Sequence, residues 1–298
     1  MTEIKNKDIK VCGFTIVRNA EKFDYPVVES IKSILPVCDC FIVSVGNSSD
    51  RTLEMIKSID SKKIIIMETV WDDNLREGGR VLAVETNKAL DAIPDEYDWA
   101  FYIQADEVVH EKYLDEIRKQ MIRNVDDKLI EGLLLKYEHF YGSYNYVCDS
   151  RKWYRREIRI IKNDKEIRSW GDAQGFRKNG RKLNVKLIDA CIYHYGWVKS
   201  PDKQQQKQRS FHRFWHPDEW LKTKVTPSEK YDYSGIDSIK LFEGTHPSVM
   251  QKRVENQNWE FNFDIKMKNM NWLNKLFYFF EKLTGMRLFE YRNYNLKK

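Results

Sequence analysis

The chain has 298 residues, enough for one large α/β core with appendages or for two modest ones. With 42% apolar and 32% charged residues, thirteen glycines and seven prolines, it reads as ordered and globular, not disordered or fibrous. A net charge of +6 suits phosphorylated small molecules or an anionic membrane surface and calls for no nucleic acid. The five cysteines (Cys12, Cys38, Cys40, Cys148, Cys191) are odd in number and include no CxxC pair, which argues against a disulfide scaffold or a zinc site and for a reducing compartment. Residues 1–10 lack the apolar core of a signal peptide, and nothing approaches the roughly 18 apolar residues that span a bilayer, so a cytoplasmic location is expected.

Residues 11–17 and 41–45 are apolar runs ending in Arg18-Asn19 and Gly46-Asn47-Ser48-Ser49, the mark of buried strands opening into polar loops. After the first, Pro26 starts a helix carrying Val27, Val28, Ile31, Ile34 and Leu35, and Pro36 stops it. After the second, Ser49 or Asp50 caps a helix with Leu53, Ile56 and Ile59. A strand at 64–67, a helix at 79–90 and a strand at 99–103 complete a βαβαβαβ order. That alternation predicts an α/β fold with a Rossmann-like, mostly parallel sheet, helices on both faces, and ligands at the carboxyl ends of the strands.

Beyond Asp106 the rhythm becomes α+β, with a helix at 113–122 and strands at 132–137, 158–161 and 187–195. Residues 200–260, including Lys203-Gln204-Gln205-Gln206-Lys207-Gln208-Arg209, read as helix plus irregular segments. In the stretch 270–298, Trp272, Leu273, Leu276, Phe277, Phe280 and Leu283 recur at helical spacing among basic residues. Such a helix either docks its apolar face on the domain or lies on an anionic membrane surface.

The strongest chemical signal is Asp106-Glu107 directly after the strand at 99–103. A hard divalent cation takes carboxylate oxygens at such a strand end and leaves the rest of its shell to water and substrate phosphates; the bland reading is that the two acids cap the next helix. His194, ending an apolar strand before Tyr195-Gly196-Trp197, is either a cation ligand or a half-buried imidazole satisfied by backbone. Asp172, between Trp170-Gly171 and Ala173-Gln174-Gly175, is either a general base in a sugar-sized pocket or an ordinary turn residue, with Glu138 and Asp149 as fallback bases.

Taken together, Gly13-Phe14-Thr15-Ile16-Val17-Arg18-Asn19, the loop Gly46-Asn47-Ser48-Ser49-Asp50-Arg51-Thr52 and the loop Gln104-Ala105-Asp106-Glu107 resemble, in order and spacing, the family-two glycosyltransferases of the GT-A fold. The resemblance is good over the first 110 residues and weaker beyond, through residues 172–177 and 193–197. It implies a nucleotide-sugar-binding half at 1–110, an acceptor-binding and catalytic half at 111–200, and a helical or irregular extension at 201–298. The implied reaction is inverting transfer of a sugar from a nucleotide donor, most often a UDP-sugar, to a glycan or lipid-linked acceptor.

By the same resemblance Thr15, Val17 and Arg18 line the base and ribose pocket, Asn47 approaches from the other side, and Asp106 with His194 holds Mn2+ or Mg2+ on the diphosphate. Gln104 and Ala105 belong to the same donor-binding loop. Apart from the resemblance, Trp170, Trp197, Trp153 and Tyr141 are candidates either for stacking on sugar faces or for simple core, and Arg80, Arg76 and Arg177 either hold phosphate or are solvated charges. The chain departs from the family where aspartates are usual: it has Val45-Gly46 after the second strand and Gln104 in the metal loop. Two rival readings are nucleotidyl transfer, for which no Gly-rich phosphate loop follows the first strand, and a non-catalytic basic module binding RNA or membrane.

Overall fold

The computed structural model describes residues 8–75, 78–215, 220, 223 and 228–297. Its first half follows the predicted order: β1 (Val11–Val17), α1 (Val27–Ile34), β2 (Cys40–Gly46), α2 (Thr52–Lys57), β3 (Ile64–Thr69), α3 (Arg80–Asp91) and β4 (Trp99–Tyr102). β1 and β2 are buried along their whole length, which is why each reads as an unbroken apolar run. Pro26 stands at the N-cap of α1 and Pro36 in the tight turn that ends it, so two residues unable to donate a backbone hydrogen bond bracket the helix. At the start of α2 the Asp50 carboxylate accepts from the Thr52 N–H at 3.1 Å.

These four strands lie parallel in the order β3-β2-β1-β4, and parallel neighbours need crossover helices on the faces. One face buries Val11, Val43 and Val45 against Ile31 and Ile34 of α1 and Ile56 of α2. The other buries Cys12, Phe14 and Ile42 against Val81, Ala89 and Leu90 of α3. Successive strand residues alternate between the two cores, as a pleated strand covered on both sides must.

The second half contributes β5 (Glu107–Val109), α4 (Leu114–Asn124), β6 (Gly132–Tyr141), β7 (Ser143–Cys148), β8 (Arg156–Lys162), β9 (Ile167–Trp170), β10 (Gly175–Lys178), β11 (Arg181–Lys182) and β12 (Asn184–Trp197). After it come α5 (Pro201–His212), β13 (Ile239–Leu241), α6 (Gln251–Glu255), α7 (Trp272–Thr284) and β14 (Asn295–Lys297). β8 pairs antiparallel with both β4 and β6, so the same sheet runs on as β13-β7-β6-β8 beside the parallel strands. β12 lies parallel to β6 and antiparallel to β5, which sets His194 opposite Glu107. β9, β10 and β11 form a separate small sheet. The strands predicted at 132–137 and 187–195 extend further because buried polar residues such as His139 interrupt the apolar pattern without ending the strand.

α5 contains the polar run 203–209 and buries Gln204, Gln205 and Lys207. α7 packs one side on the domain: Tyr278 donates to Asp149 at 2.6 Å, and the Arg151 guanidinium lies 5.2 Å from the Phe277 ring. Its other side is an apolar stripe open to solvent, Trp272, Leu276, Phe279 and Leu283, between 57% and 76% exposed. Among the described residues no helix is long and apolar enough to cross a membrane.

Candidate functional site

A cavity of about 800 Å³ opens at the carboxyl ends of β1 and β4, walled by α5 and the residues after it. Ligands of α/β sheets bind at that edge, where backbone groups of the strand ends face a crevice between crossovers. Val17 and Arg18 line it from β1, Gln104, Ala105 and Asp106 from β4, Asp172 from the turn after β9, and His194 and Trp197 from β12.

At the β1 end, Arg18 donates to Asp73 at 2.6 and 3.3 Å and to the Asn47 carbonyl at 3.3 Å, with its guanidinium 5.8 Å from the Trp71 ring. Trp71 also lines the cavity, and its buried Nε1 has no hydrogen-bond partner among the described residues. A side chain on Gly46 would place its Cβ 2.4 Å from that nitrogen, so the indole fills the space that a side chain at 46 would need. Thr15 is fully buried inside the sheet and does not reach the cavity. Asn47 lines a smaller neighbouring hollow and its Oδ1 accepts from the Trp71 backbone N–H at 3.2 Å, so it holds the indole's segment.

At the centre, Asp106 Oδ2 accepts from Lys207 Nζ at 3.0 Å, and His194 Nε2 lies 3.7 Å from Oδ1. Burial would raise the Asp106 carboxyl, but Lys207, His194 and Lys199 override it and hold the acid well below the usual carboxylate range. Lys207 also donates to the Gly196 carbonyl at 2.9 Å, with its amine 4.9 Å from the Tyr25 ring. Lys199, fully buried on the same ring at 5.0 Å, has its amine pushed down to about 7 by burial and by Lys207. Burial lowers His194 as well, against the pull of Asp106, and His139 Nδ1 stands 3.2 Å from its Nδ1.

Glu107 does a different job from its neighbour. Its two oxygens are gripped by Arg159 at 2.8 Å each and one accepts from Tyr137 at 2.7 Å, with both members of the pair wholly buried. Arg159 also donates to the Gln174 carbonyl at 3.0 Å, tying the 104–107 loop to the turn that carries Asp172. Neither acid caps a helix by its side chain: the cap of the following turn is His110.

Asp172 sits between Gly171 and Ala173, both at φ +63, and accepts from the Gln174 N–H at 3.3 Å. Gly79 faces it at φ +71, and a Cβ there would lie 2.8 Å from Asp172 Cβ and from Trp215, so only glycine allows this approach. Next to Asp172 is Glu157, buried, with one carboxyl oxygen unpartnered. Burial, opposed by Arg159 and reinforced by Glu107 and Asp172, pushes its acid up to about 8.

Other predicted residues stand apart. Trp170 is 56% exposed and lines an adjoining hollow of about 370 Å³ with Trp153 and Arg177. Tyr141 is buried behind Trp197 with ring centroids 5.7 Å apart, and Arg80 is exposed at the start of α3 outside the cavity wall. Glu138 lines none of these cavities, and Asp149 is bound to Tyr278, Ser238 and Lys268 beneath α7. Arg76 lies outside the described residues.

Sequence reasoning missed Lys207, Tyr25, Trp71 and Glu157. A signal existed for Lys207: residues 203–210 hold no apolar side chain, so a helix packed there must bury polar ones. The expected metal pair does come together, but Lys207 already holds one oxygen of the only cavity-facing carboxylate on the loop, and no cluster of three metal-ligating side chains exists among the described residues. These residues do not by themselves make a divalent-cation site.

No family model matches the chain, and no curated protein matches it. Among solved structures it is similar to S. aureus TarS, at 16% identity over 68% of this chain and 39% of that one, with a TM-score of 0.37. Residues 1–349 of TarS in complex with UDP match at 14% identity over 74% of this chain and 68% of that one, TM-score 0.37. The 4-diphosphocytidyl-2C-methyl-D-erythritol synthase of Anaerococcus prevotii matches at 11% identity over 69% of this chain and 95% of that one, TM-score 0.39. Glucosyl-3-phosphoglycerate synthase of Mycobacterium tuberculosis with Mn2+ and UDP matches at 16% identity over 45% of each chain, TM-score 0.31. The chain thus spans under half of the full TarS structure, and its fold rests on the strand pairing described above.

Proposed function

We propose that the chain is an inverting glycosyltransferase that moves a sugar from a nucleoside-diphosphate donor, UDP-sugars being the leading class, to a hydroxyl of a glycan or lipid-linked acceptor. The observation that carries this reading is one cavity at the carboxyl edge of β1 and β4 that gathers an arginine beside an indole, a buried acid–lysine centre, and a separate carboxylate. Arg18 and Trp71 offer cationic and aromatic surfaces to base and ribose, as a nucleotide needs. Positive charge beside Asp106 faces the diphosphate, where negative charge grows as the leaving group departs.

Asp172 takes the acceptor proton. In a single displacement the acceptor oxygen bonds to the anomeric carbon as the bond to the diphosphate oxygen breaks, so configuration inverts and a nucleoside diphosphate leaves. The first test is thermal unfolding with UDP, GDP, CDP and ADP, where binding at about 100 times Kd adds about 2.7 kcal/mol. One of them is expected to raise the unfolding temperature, and nucleotide sugars are expected to yield nucleoside diphosphate. A flat response to all four sinks the proposal; release of pyrophosphate points instead to nucleotidyl transfer.

The exposed stripe of α7, with Lys275 exposed beside it, supports contact with an anionic membrane surface where a lipid-linked acceptor resides. The chain is expected to co-sediment with vesicles containing anionic phospholipid and not with neutral ones. Joint replacement Leu276→Asp and Phe279→Asp removes that binding; equal sedimentation of both proteins refutes the contact.

A further inference from the structure

We propose that the ε-ammonium of Lys207 stands where a divalent ion would stand and binds the donor's diphosphate directly, so that nucleotide binding needs no metal. The inference rests on the glycosyltransferase reading of the cavity and concerns what supplies its positive charge.

The charges of this loop and its lysine partner balance without an ion. Of the 104–107 loop, Gln104 is neutral, Glu107 is consumed by Arg159, and Asp106 alone faces the cavity as an anion. Lys207 Nζ neutralises it at 3.0 Å while lining the same cavity. The replacement of an acid by Gln104 and the arrival of a lysine on Asp106 are thus matched: one negative charge fewer, and one positive charge where a divalent ion brings two. Lys199 lies close behind on the Tyr25 ring, so a divalent ion entering here meets the Lys207 ammonium, the Lys199 amine and one already paired carboxylate.

Lys207 is also placed to act. An ammonium has three N–H donors, and two are used by Asp106 and the Gly196 carbonyl, which leaves the third for a ligand oxygen. Its side chain is only 10% exposed, so its position is fixed by packing before any ligand arrives. Gly196 makes the cluster this tight, because a Cβ there would lie 2.7 Å from Asp106 Oδ2 and from the His194 ring. A lysine acting as a compact point charge is a common way to hold phosphate oxygens.

The test compares the folded chain in EDTA and in Mn2+, with UDP as the probe and unfolding temperature and calorimetric affinity as readouts. UDP is expected to bind equally in both media, and electron paramagnetic resonance is expected to show no Mn2+ bound to the chain with or without UDP. Lys207→Met is expected to weaken UDP binding in EDTA by about 10- to 100-fold, the loss of one charge-assisted hydrogen bond. The double change Lys207→Met with Asp106→Asn removes both charges, avoids an unpaired buried acid, and is expected to show the same loss. UDP binding that requires Mn2+ in the unaltered chain overturns this inference and leaves the transferase reading standing, as does unchanged affinity in the double variant. Absence of binding by every nucleoside diphosphate in both media overturns both.

Discussion

Replacing Glu107 with alanine is expected to lower the stability of the chain by about 3–5 kcal/mol, because it strands the wholly buried Arg159 guanidinium without its partner. For a chain of this size that is a fall of about 5–8 °C in unfolding temperature, readable by thermal or denaturant unfolding. Arg159 keeps its bonds to the carbonyls of Ile158 and Gln174, but these satisfy only one of its nitrogens. Tyr137 loses its acceptor and the Gln104 N–H loses its partner at 3.1 Å, which adds to the cost. The joint change Glu107→Leu with Arg159→Met is expected to recover most of the loss, since apolar replacement of a whole buried pair is often neutral. A loss under 1 kcal/mol for the single change would mean that the pair is not buried as described.

Asp172→Asn is expected to slow sugar transfer by about 10²- to 10⁴-fold, the usual worth of a positioned general base, while the unfolding temperature and the response to UDP stay unchanged. The neighbouring carboxyl is the informative control. Glu157 is held protonated up to about 8, so at neutral pH it has a proton and cannot accept one, whereas Asp172 faces the cavity. Glu157→Gln is therefore expected to leave transfer within a few-fold. Steady-state rates for the two variants decide the matter: a small effect at 172, or an equal effect at 157, removes Asp172 from the proposed role.

The parallel half was legible because β1, β2 and β4 are buried on both faces and its helices are bracketed by Pro26, Pro36 and Gly79, features that act locally along the chain. The strand ends at Arg18 and Asp106 were legible for the same reason. What could not be read was pairing at long range. Arg159 interrupts an apolar run as if by accident, and only the register of β8 and the path of β5 reveal that it meets Glu107, 52 residues away. Lys207 meets Asp106 across 101 residues, from a polar run that reads in the sequence only as helix plus irregular segments. Trp170 shows the converse: a tryptophan beside a glycine turn looked like a sugar platform, and the separate small sheet carries it out of the main cavity.

The contact between Gly46 and Trp71 constrains what evolution can do with this edge of the sheet. These two positions compete for one volume, so a side chain at 46 requires the indole at 71 to move aside or give way to a smaller residue. A single mutation toward an acidic residue at 46 therefore meets a steric barrier, and the two sites are bound to change together.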